Sequence, residues 1–328
     1  MERFNLVIQT AFIGDLLLTI PLLKHLRQID SKAQIVLLCR YGFGDFFLHH
    51  KLVDRVFEVK KGIRSNWQEV SHQLSQLKFE RIISPHQSFR TARLVFKLNA
   101  KEKTGFKRFW NFLAFNQRVR WRKDLPEALR LLTLIKDVRP NQDYLKMTNE
   151  IPQESSLQLE SDVGSREPIV FLAPGSEWAT KRWGIEGYTQ VAKYFLDKGF
   201  AVKVIGTQSE IHLAEIILAS AKGCENLCGK TTLSELYDLF RKGKLLISND
   251  SGAMHMAAVA GLPVLAIFGP TVLSLGYRPW TPNALVVQKE LSCRPCGLHG
   301  SQKCPIGTHE CMKGIEPKKV IDAALSFL

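Results

Sequence analysis

The residues best placed to do chemistry lie in three short segments, each at the end of an apolar run. Ile247-Ser248-Asn249-Asp250-Ser251-Gly252-Ala253-Met254-His255 follows Lys244-Leu245-Leu246-Ile247, which reads as a buried strand, and precedes a helix-like stretch from Met256 to Ala260. An acid, hydroxyls, a glycine and a histidine thus share one strand-to-helix turn. In open α/β sheets this turn, at the carboxyl end of a strand, is where ligands bind. The free N–H groups of a helix start attract anions. The simpler alternative is that Asp250 only caps the helix. Far upstream, Gln9-Thr10-Ala11-Phe12-Ile13-Gly14-Asp15 repeats the design. Its glycine permits a tight turn, and Asp15 is placed to accept a proton from an attacking hydroxyl as a general base. It could equally do no more than complement a helix dipole.

The third segment is Leu172-Ala173-Pro174-Gly175-Ser176-Glu177-Trp178-Ala179-Thr180-Lys181-Arg182-Trp183. Backbone amides and Ser176 can cradle a phosphate there, with Lys181 or Arg182 neutralising it. The spacing is not that of a Walker A loop, and there is no G-x-G-x-x-G. Glu210, after the strand-like Ala201–Gly206, sits where carboxylates meet ribose hydroxyls, or else serves as a helix cap. Phe268-Gly269-Pro270-Thr271 ends another apolar run with a glycine and a hydroxyl.

These turns require a frame of alternating strands and helices. In the first half, strands are expected at Phe4–Ile8, Gln34–Cys39, Val53–Val59 and Arg81–Ser84, with helices at Gly14–Gln28 and Ser88–Leu98. A polar stretch between Pro140 and Pro168 reads as a linker. A second series follows. It has strands at Pro168–Leu172, Ala201–Gly206, Leu245–Ser248 and Val264–Phe268, with helices at Gly187–Lys198, Glu210–Lys222 and Leu233–Arg241. The alternation implies βαβ units and parallel sheets. The expected domains are residues 1–160 and 161–328, with a ligand cleft between them. The last helix, Lys318–Leu328, is expected to cross back towards the first domain.

The chain has 328 residues and a net charge of +14. Residues 1–150 hold 27 Lys and Arg against 14 Asp and Glu, while the remainder holds 18 against 17. The densest patch, Lys101 to Lys123, has eight basic residues and one acid. Lys101, Lys103, Lys107, Arg108, Arg118 and Arg120 alternate there with Phe106, Phe109, Trp110, Phe112, Phe115 and Trp121. Such a mixture suits an anionic membrane surface, or single-stranded nucleic acid, or a solvated face whose rings belong to the core. No run is long enough to span a bilayer, and the opening does not read as a signal peptide, so a cytoplasmic location is expected. Four of the seven cysteines (Cys293, Cys296, Cys304 and Cys311) lie within 19 residues. They read either as a structural zinc or iron–sulfur site or as free thiols packed in a loop.

The three segments together resemble glycosyltransferase family 9, the lipopolysaccharide core heptosyltransferases. The similarity rests on Gln9–Asp15 with Leu16-Leu17-Leu18-Thr19-Ile20-Pro21, on Pro174-Gly175-Ser176 with Lys181-Arg182-Trp183, and on Asn249–His255 with Gly261-Leu262-Pro263 and Phe268–Thr271. The resemblance implies a GT-B fold of two Rossmann-like domains facing across a cleft, an acceptor in the first domain and ADP-heptose in the second. It implies inverting transfer with Asp15 as base, Lys181 on the donor diphosphate, Glu210 near the ribose and Asp250 on the sugar. Ser176, Ser251, Gly252, Ala253 and His255 would line the diphosphate. No cofactor is required for catalysis in this reading, and the cysteines hold at most a structural zinc. The implied acceptor is an anionic, lipid A-linked core at the cytoplasmic face of the inner membrane, where the protein would be peripheral. The alternatives are a GT-B transferase for another nucleotide sugar and a basic nucleic-acid-binding protein. The latter leaves the three turns unexplained, so no nucleic-acid partner is expected.

Overall fold

The structure, a computed structural model, describes residues 2–136, 151, 155–160 and 165–328. The described residues divide into two compact units, the first holding 2–136, 155 and 156 and the second 151, 157–160 and 165–328.

The first unit contains β1 (Phe4–Gln9), α1 (Ile13–Leu17), α2 (Ile20–Ile29), β2 (Gln34–Arg40), α3 (Gly44–His49), β3 (Arg55–Val59) and α4 (Arg64–Ser75). It continues with β4 (Phe79–Ser84), α5 (Phe89–Lys97), β5 (Ala100–Phe106), β6 (Gln117–Val119) and α6 (Glu127–Leu132). All strand pairs are parallel, in the order β3-β2-β1-β4-β5-β6. Every residue of β1 is buried, as a central parallel strand covered on both faces requires. The expected single helix from Gly14 to Gln28 is two helices. Pro21 lacks an N–H and opposes the preceding turn, and Thr19 turns its hydroxyl onto the Leu16 carbonyl.

The strands β5 and β6 run through what reads as a basic patch. The backbone ladder holds β5 against β4, and its exposed first half carries charged partners where an apolar strand would alternate. Arg81 and Glu102 are register partners and meet at 2.9 Å, and Lys101 meets Glu80 at 2.8 Å.

The second unit contains β7 (Ile169–Ala173), α7 (Ile185–Asp197), β8 (Ala201–Val204), α8 (Ile211–Ser220), β9 (Glu225–Asn226) and α9 (Leu233–Lys242). It continues with β10 (Leu245–Asn249), α10 (Gly252–Val259), β11 (Val264–Phe268), β12 (Ala284–Gln288), α11 (Glu310–Lys313) and α12 (Pro317–Leu325). Its sheet is also parallel, ordered β12-β11-β10-β7-β8-β9. Counted from its own first strand, this is the order of the first sheet, the 3-2-1-4-5-6 of a Rossmann-like domain. The expected last helix, Lys318–Leu328, corresponds to α12. Val320 and Ala324 are buried in the second unit's own core, and α12 packs on α7, β11 and β12.

Both sheets reverse direction of winding at their centre, between β1 and β4 and between β7 and β10. The carboxyl edge at that switch point is where α/β sheets take ligands. The segments holding Asp15, Ser176 and Asp250 all leave these four strands.

Candidate active site

In the second unit, Asn249 fixes the loop after β7. Its side chain is fully buried, and its Nδ2 donates to the carbonyls of Pro174 (2.8 Å) and Gly175 (3.3 Å). Its Oδ1 accepts from the Trp183 amide at 3.0 Å. One side chain at the end of β10 therefore holds both ends of the Pro174–Trp183 segment.

Asp250 is not the helix cap. That position belongs to Ser251, which makes no side-chain cap bond and lies 3.1 Å from the Ser248 hydroxyl. Asp250 instead turns its Oδ2 to Lys181 Nζ at 2.6 Å and accepts from the Thr271 hydroxyl at 2.7 Å. The Lys181 and Asp250 side chains are 12% and 6% exposed, so the pair is largely desolvated and its geometry is well defined. Ser176 is buried and Gly252 and Ala253 half-buried at the start of α10. The structure thus brings Lys181 and Asp250 together beside a helix start whose first amides have no side-chain cap.

His255 lies one turn into α10, 4% exposed, with its Nδ1 buried and unpartnered. Burial lowers its pKa to about 4. Asp250 opposes that shift and Lys181 adds to it. The imidazole is therefore neutral at pH 7, so it can line an anion site only as a hydrogen-bonding group. Arg182 is spent within the loop, donating to the Ser176 carbonyl at 2.8 Å. Glu210 is a helix cap and more. Its Oε2 accepts from the Thr207 amide (2.7 Å) and hydroxyl (2.9 Å), completing a capping box. Its carboxylate also occupies the space that a Cβ on Gly175 would need. The glycine is thus required for close approach of loop and acid.

The cysteine-rich loop buttresses this site. Thr180 exchanges hydrogen bonds with the Ser301 backbone, accepting from its amide at 2.9 Å, and His309 Nε2 lies 2.7 Å from the Thr180 carbonyl. The Cys296 amide donates to Pro270, and the Arg294 guanidinium donates to the Thr271 carbonyl. All seven cysteines are free thiols. Among the described residues, no three His, Cys, Asp or Glu side chains stand together as a metal-ligand set. Cys293, Cys296, Cys304 and Cys311, read from the sequence as either a structural metal site or free thiols, sit in this loop near one another. Burial first, and then their mutual charge, raises the Cys296 and Cys311 thiols. Cys311 is buried in the core, Cys293 is exposed, and the Cys304 sulfur accepts from the His309 amide at 3.4 Å.

In the first unit, Asp15 lies half-buried in the first turn of α1, beyond β1. The adjacent edge carries a network that the sequence did not signal. His86 Nδ1 is 2.9 Å from both the Thr10 and the Thr91 hydroxyls, and burial lowers its pKa to about 4. Phe12 lies under two cations, Arg40 and Lys61. Of the basic patch, Lys107, Arg108, Arg118 and Arg120 are exposed, whereas Lys101 is ion-paired and Lys103 half-buried. Its rings divide likewise: Phe106 and Phe115 belong to the core, and Phe109 and Phe112 are exposed.

The model of glycosyltransferase family 9 (heptosyltransferase) matches residues 67–305. The chain belongs to this family. It is therefore a glycosyltransferase, and its paired Rossmann-like sheets are those of the GT-B class. Among curated relatives of this family 9 chain, lipopolysaccharide heptosyltransferase 2 of Escherichia coli (strain K12) is 24% identical over 98% of each chain. Lipooligosaccharide heptosyltransferase 2 of Campylobacter jejuni (strain ATCC 700819 / NCTC 11168) is 35% identical, over 49% of this chain and 51% of its own length. The solved structure of E. coli ADP-heptose lps heptosyltransferase II superposes with a TM-score of 0.80 at 23% identity, covering 99% of this chain and 98% of that one. The family 9 glycosyltransferase of Veillonella parvula gives 0.80 at 22% identity, covering 100% and 98%.

Proposed function

We propose that this chain transfers heptose from ADP-heptose, with inversion, to the inner core of a lipid A-linked acceptor in lipopolysaccharide biosynthesis. The observation that carries the reading is the buried Lys181–Asp250–Thr271 network beside the uncapped start of α10. It presents a cation, backbone amides and a carboxylate to one anionic sugar ligand. Family membership and the relatives named heptosyltransferase 2 supply the sugar and the acceptor class.

In this mechanism Asp15 removes the proton of the acceptor hydroxyl as its oxygen attacks the anomeric carbon. The bond from that carbon to the diphosphate oxygen breaks on the opposite face, and ADP leaves with the electron pair. Lys181, Ser176 and the amides of Ser251, Gly252 and Ala253 meet the growing charge, with no metal cofactor needed. His255 contributes as a neutral imidazole. Asp250 uses Oδ2 to hold Lys181 and Thr271 and offers Oδ1 to the sugar hydroxyls. Glu210, held against Gly175, reaches the ribose. Lys107, Arg108, Arg118 and Arg120, with Lys101 and Lys103 at the adjoining strand, face the phosphates and carboxylates of the acceptor. The protein works at the cytoplasmic face of the inner membrane as a peripheral enzyme. No helix among the described residues is long and apolar enough to cross a membrane.

Titration of the full chain with ADP, UDP, GDP and CMP, followed by transfer from ADP-heptose to a core acceptor, tests the reading. Selective ADP binding that is lost in Lys181→Ala is the expected result. A preference for UDP or GDP would keep the fold class and overturn the donor.

A further inference from the structure

The cations of the first unit differ in what they meet. Along the sheet they meet carboxylates: Arg3 with Asp30, Arg27 with Asp54, Arg55 with Glu2, Arg81 with Glu102 and Lys101 with Glu80. Between α4 and α5 they do not. Arg64, Arg90, Arg93 and Lys97 line one groove of about 610 Å³, and no carboxylate lines it with them. Among the described residues none of these four takes part in an ion pair. Trp67 forms part of the wall. The Arg90 guanidinium lies 5.1 Å from its ring centre, and its Nε1 is buried without a partner. His72 lines the same groove. Cations gathered without counter-charge repel one another, and the field they share favours an anion.

The rim of the groove indicates what carries that anion. Thr91, Ala92, Leu94 and Val95 are buried, so the outer face of α5 consists of Phe89, Arg90, Arg93, Phe96 and Lys97. Phe89 is 70% and Phe96 57% exposed, and Ile63, which lines the groove at the start of α4, is 46% exposed. Phe89 has the Trp110 ring beside it at 5.9 Å, and exposed rings interleaved with cations on one helical face are the composition of a helix lying at a membrane interface. A dissolved anion would call for the cations but not for the exposed rings.

We infer that the α4–α5 groove is a docking site for the phosphate headgroup of an anionic phospholipid, with Phe89 and Phe96 entering the acyl boundary. The inference rests on the proposed membrane-borne acceptor. It places the lipid contact on residues outside the Lys101–Lys123 patch.

The test is binding of the full chain to phosphatidylcholine vesicles with and without phosphatidylglycerol. Wild type is expected to bind only the anionic vesicles. Arg90→Glu with Arg93→Glu should weaken that binding at least about tenfold. Phe89→Ser with Phe96→Ser should weaken it without changing the charge. Far-UV circular dichroism and thermal unfolding report whether each variant is folded. Undiminished vesicle binding by the Arg90/Arg93 variant overturns the groove and leaves membrane attachment to the other basic surface. Release of wild type from vesicles by inorganic phosphate, at ionic strength held constant with chloride, marks a soluble-anion site and also overturns it. No binding of wild type to anionic vesicles overturns both the groove and the peripheral-membrane reading. Transfer to a water-soluble core oligosaccharide would then test the catalytic reading by itself.

Discussion

The two units wind their sheets in the same strand order but use charge in opposite ways. In the second, the cation at the sheet's carboxyl edge is paired: Lys181 is locked to Asp250, which also holds Thr271. Whole-segment charges nearly cancel there. In the first, the excess positive charge lies in exposed residues and in a groove that no carboxylate lines. A desolvated, interlocked pair defines positions closely and suits a small ligand that must be held in one pose. Unpaired surface cations attract from a distance and tolerate many poses, which suits a large anionic partner. One fold thus supports both a fixed receptor and a broad attractor, depending on whether its cations have partners inside the protein.

The largest effect is expected from Asp15→Asn. Removing a general base should slow transfer by about a hundredfold to ten-thousandfold. ADP affinity should stay unchanged in calorimetry, because Asp15 and the Lys181 pair belong to different units. Near-normal turnover would remove Asp15 as base. Next is Lys181→Ala, for which ADP binding should weaken by about ten- to a hundredfold, as for the loss of one charge-assisted hydrogen bond. The same change leaves Asp250 buried without its cation, so stability should fall by about 3–5 kcal/mol. Adding Asp250→Asn should restore part of that stability, but not the ADP affinity. Restoration of both would show that the pair is structural and would break the contrast between the units.

Much of this design was readable in the sequence. The strands β1, β2, β7, β10 and β11 are apolar runs, fully buried or nearly so, and their lengths and flanking turns announce them. The segments that carry Asp15, Lys181 and Asp250 stood out because each follows such a run. The strand β5 was not, because its partners to β4 are charges, and Lys101, Glu102 and Lys103 read as solvent-facing. The α4–α5 groove was hidden for a different reason. Arg64 and Arg90 are far apart in the chain, and only the packing of two helices brings them to one place. The Thr10–His86–Thr91 network likewise joins three elements and leaves no local signature. For the four-cysteine cluster, spacing was the only signal. The fold uses that loop to hold Thr180 and Thr271, with the sulfurs divided between core and surface.

A smaller, pH-dependent effect separates the units again. The folded pKa values of His86 and His255 are both depressed from about 6.5 to about 4 by burial. The unfolded chain therefore binds protons first. Stability from each neutral ring is fully present above about pH 6.5 and is lost as pH falls towards about 4, with a slope of up to about 1.4 kcal/mol per pH unit per histidine. Thermal unfolding between pH 7 and pH 5 should flatten by one such slope in His86→Asn and by another in His255→Asn. An unchanged slope in either variant would mean that its ring is already protonated in the folded unit.

The smallest effect is expected from Gly175→Ala. The added Cβ displaces the Glu210 carboxylate and should weaken ADP binding by a few-fold to about tenfold, leaving vesicle binding untouched. Full ADP affinity in this variant would take Glu210 out of the donor site.

The bond between Thr180 and Ser301 has a consequence for the life of the chain during synthesis. The segment that carries Lys181 leaves the ribosome long before the one that braces it, since Ser301, Gln302 and His309 come more than a hundred residues later. Until those residues emerge and fold back, the loop after β7 lacks its outer support, although its own strand can already pair with β8. The growing polypeptide therefore cannot fix the shape of the loop after β7 until residues 301–309 have emerged, however early β7 itself is paired.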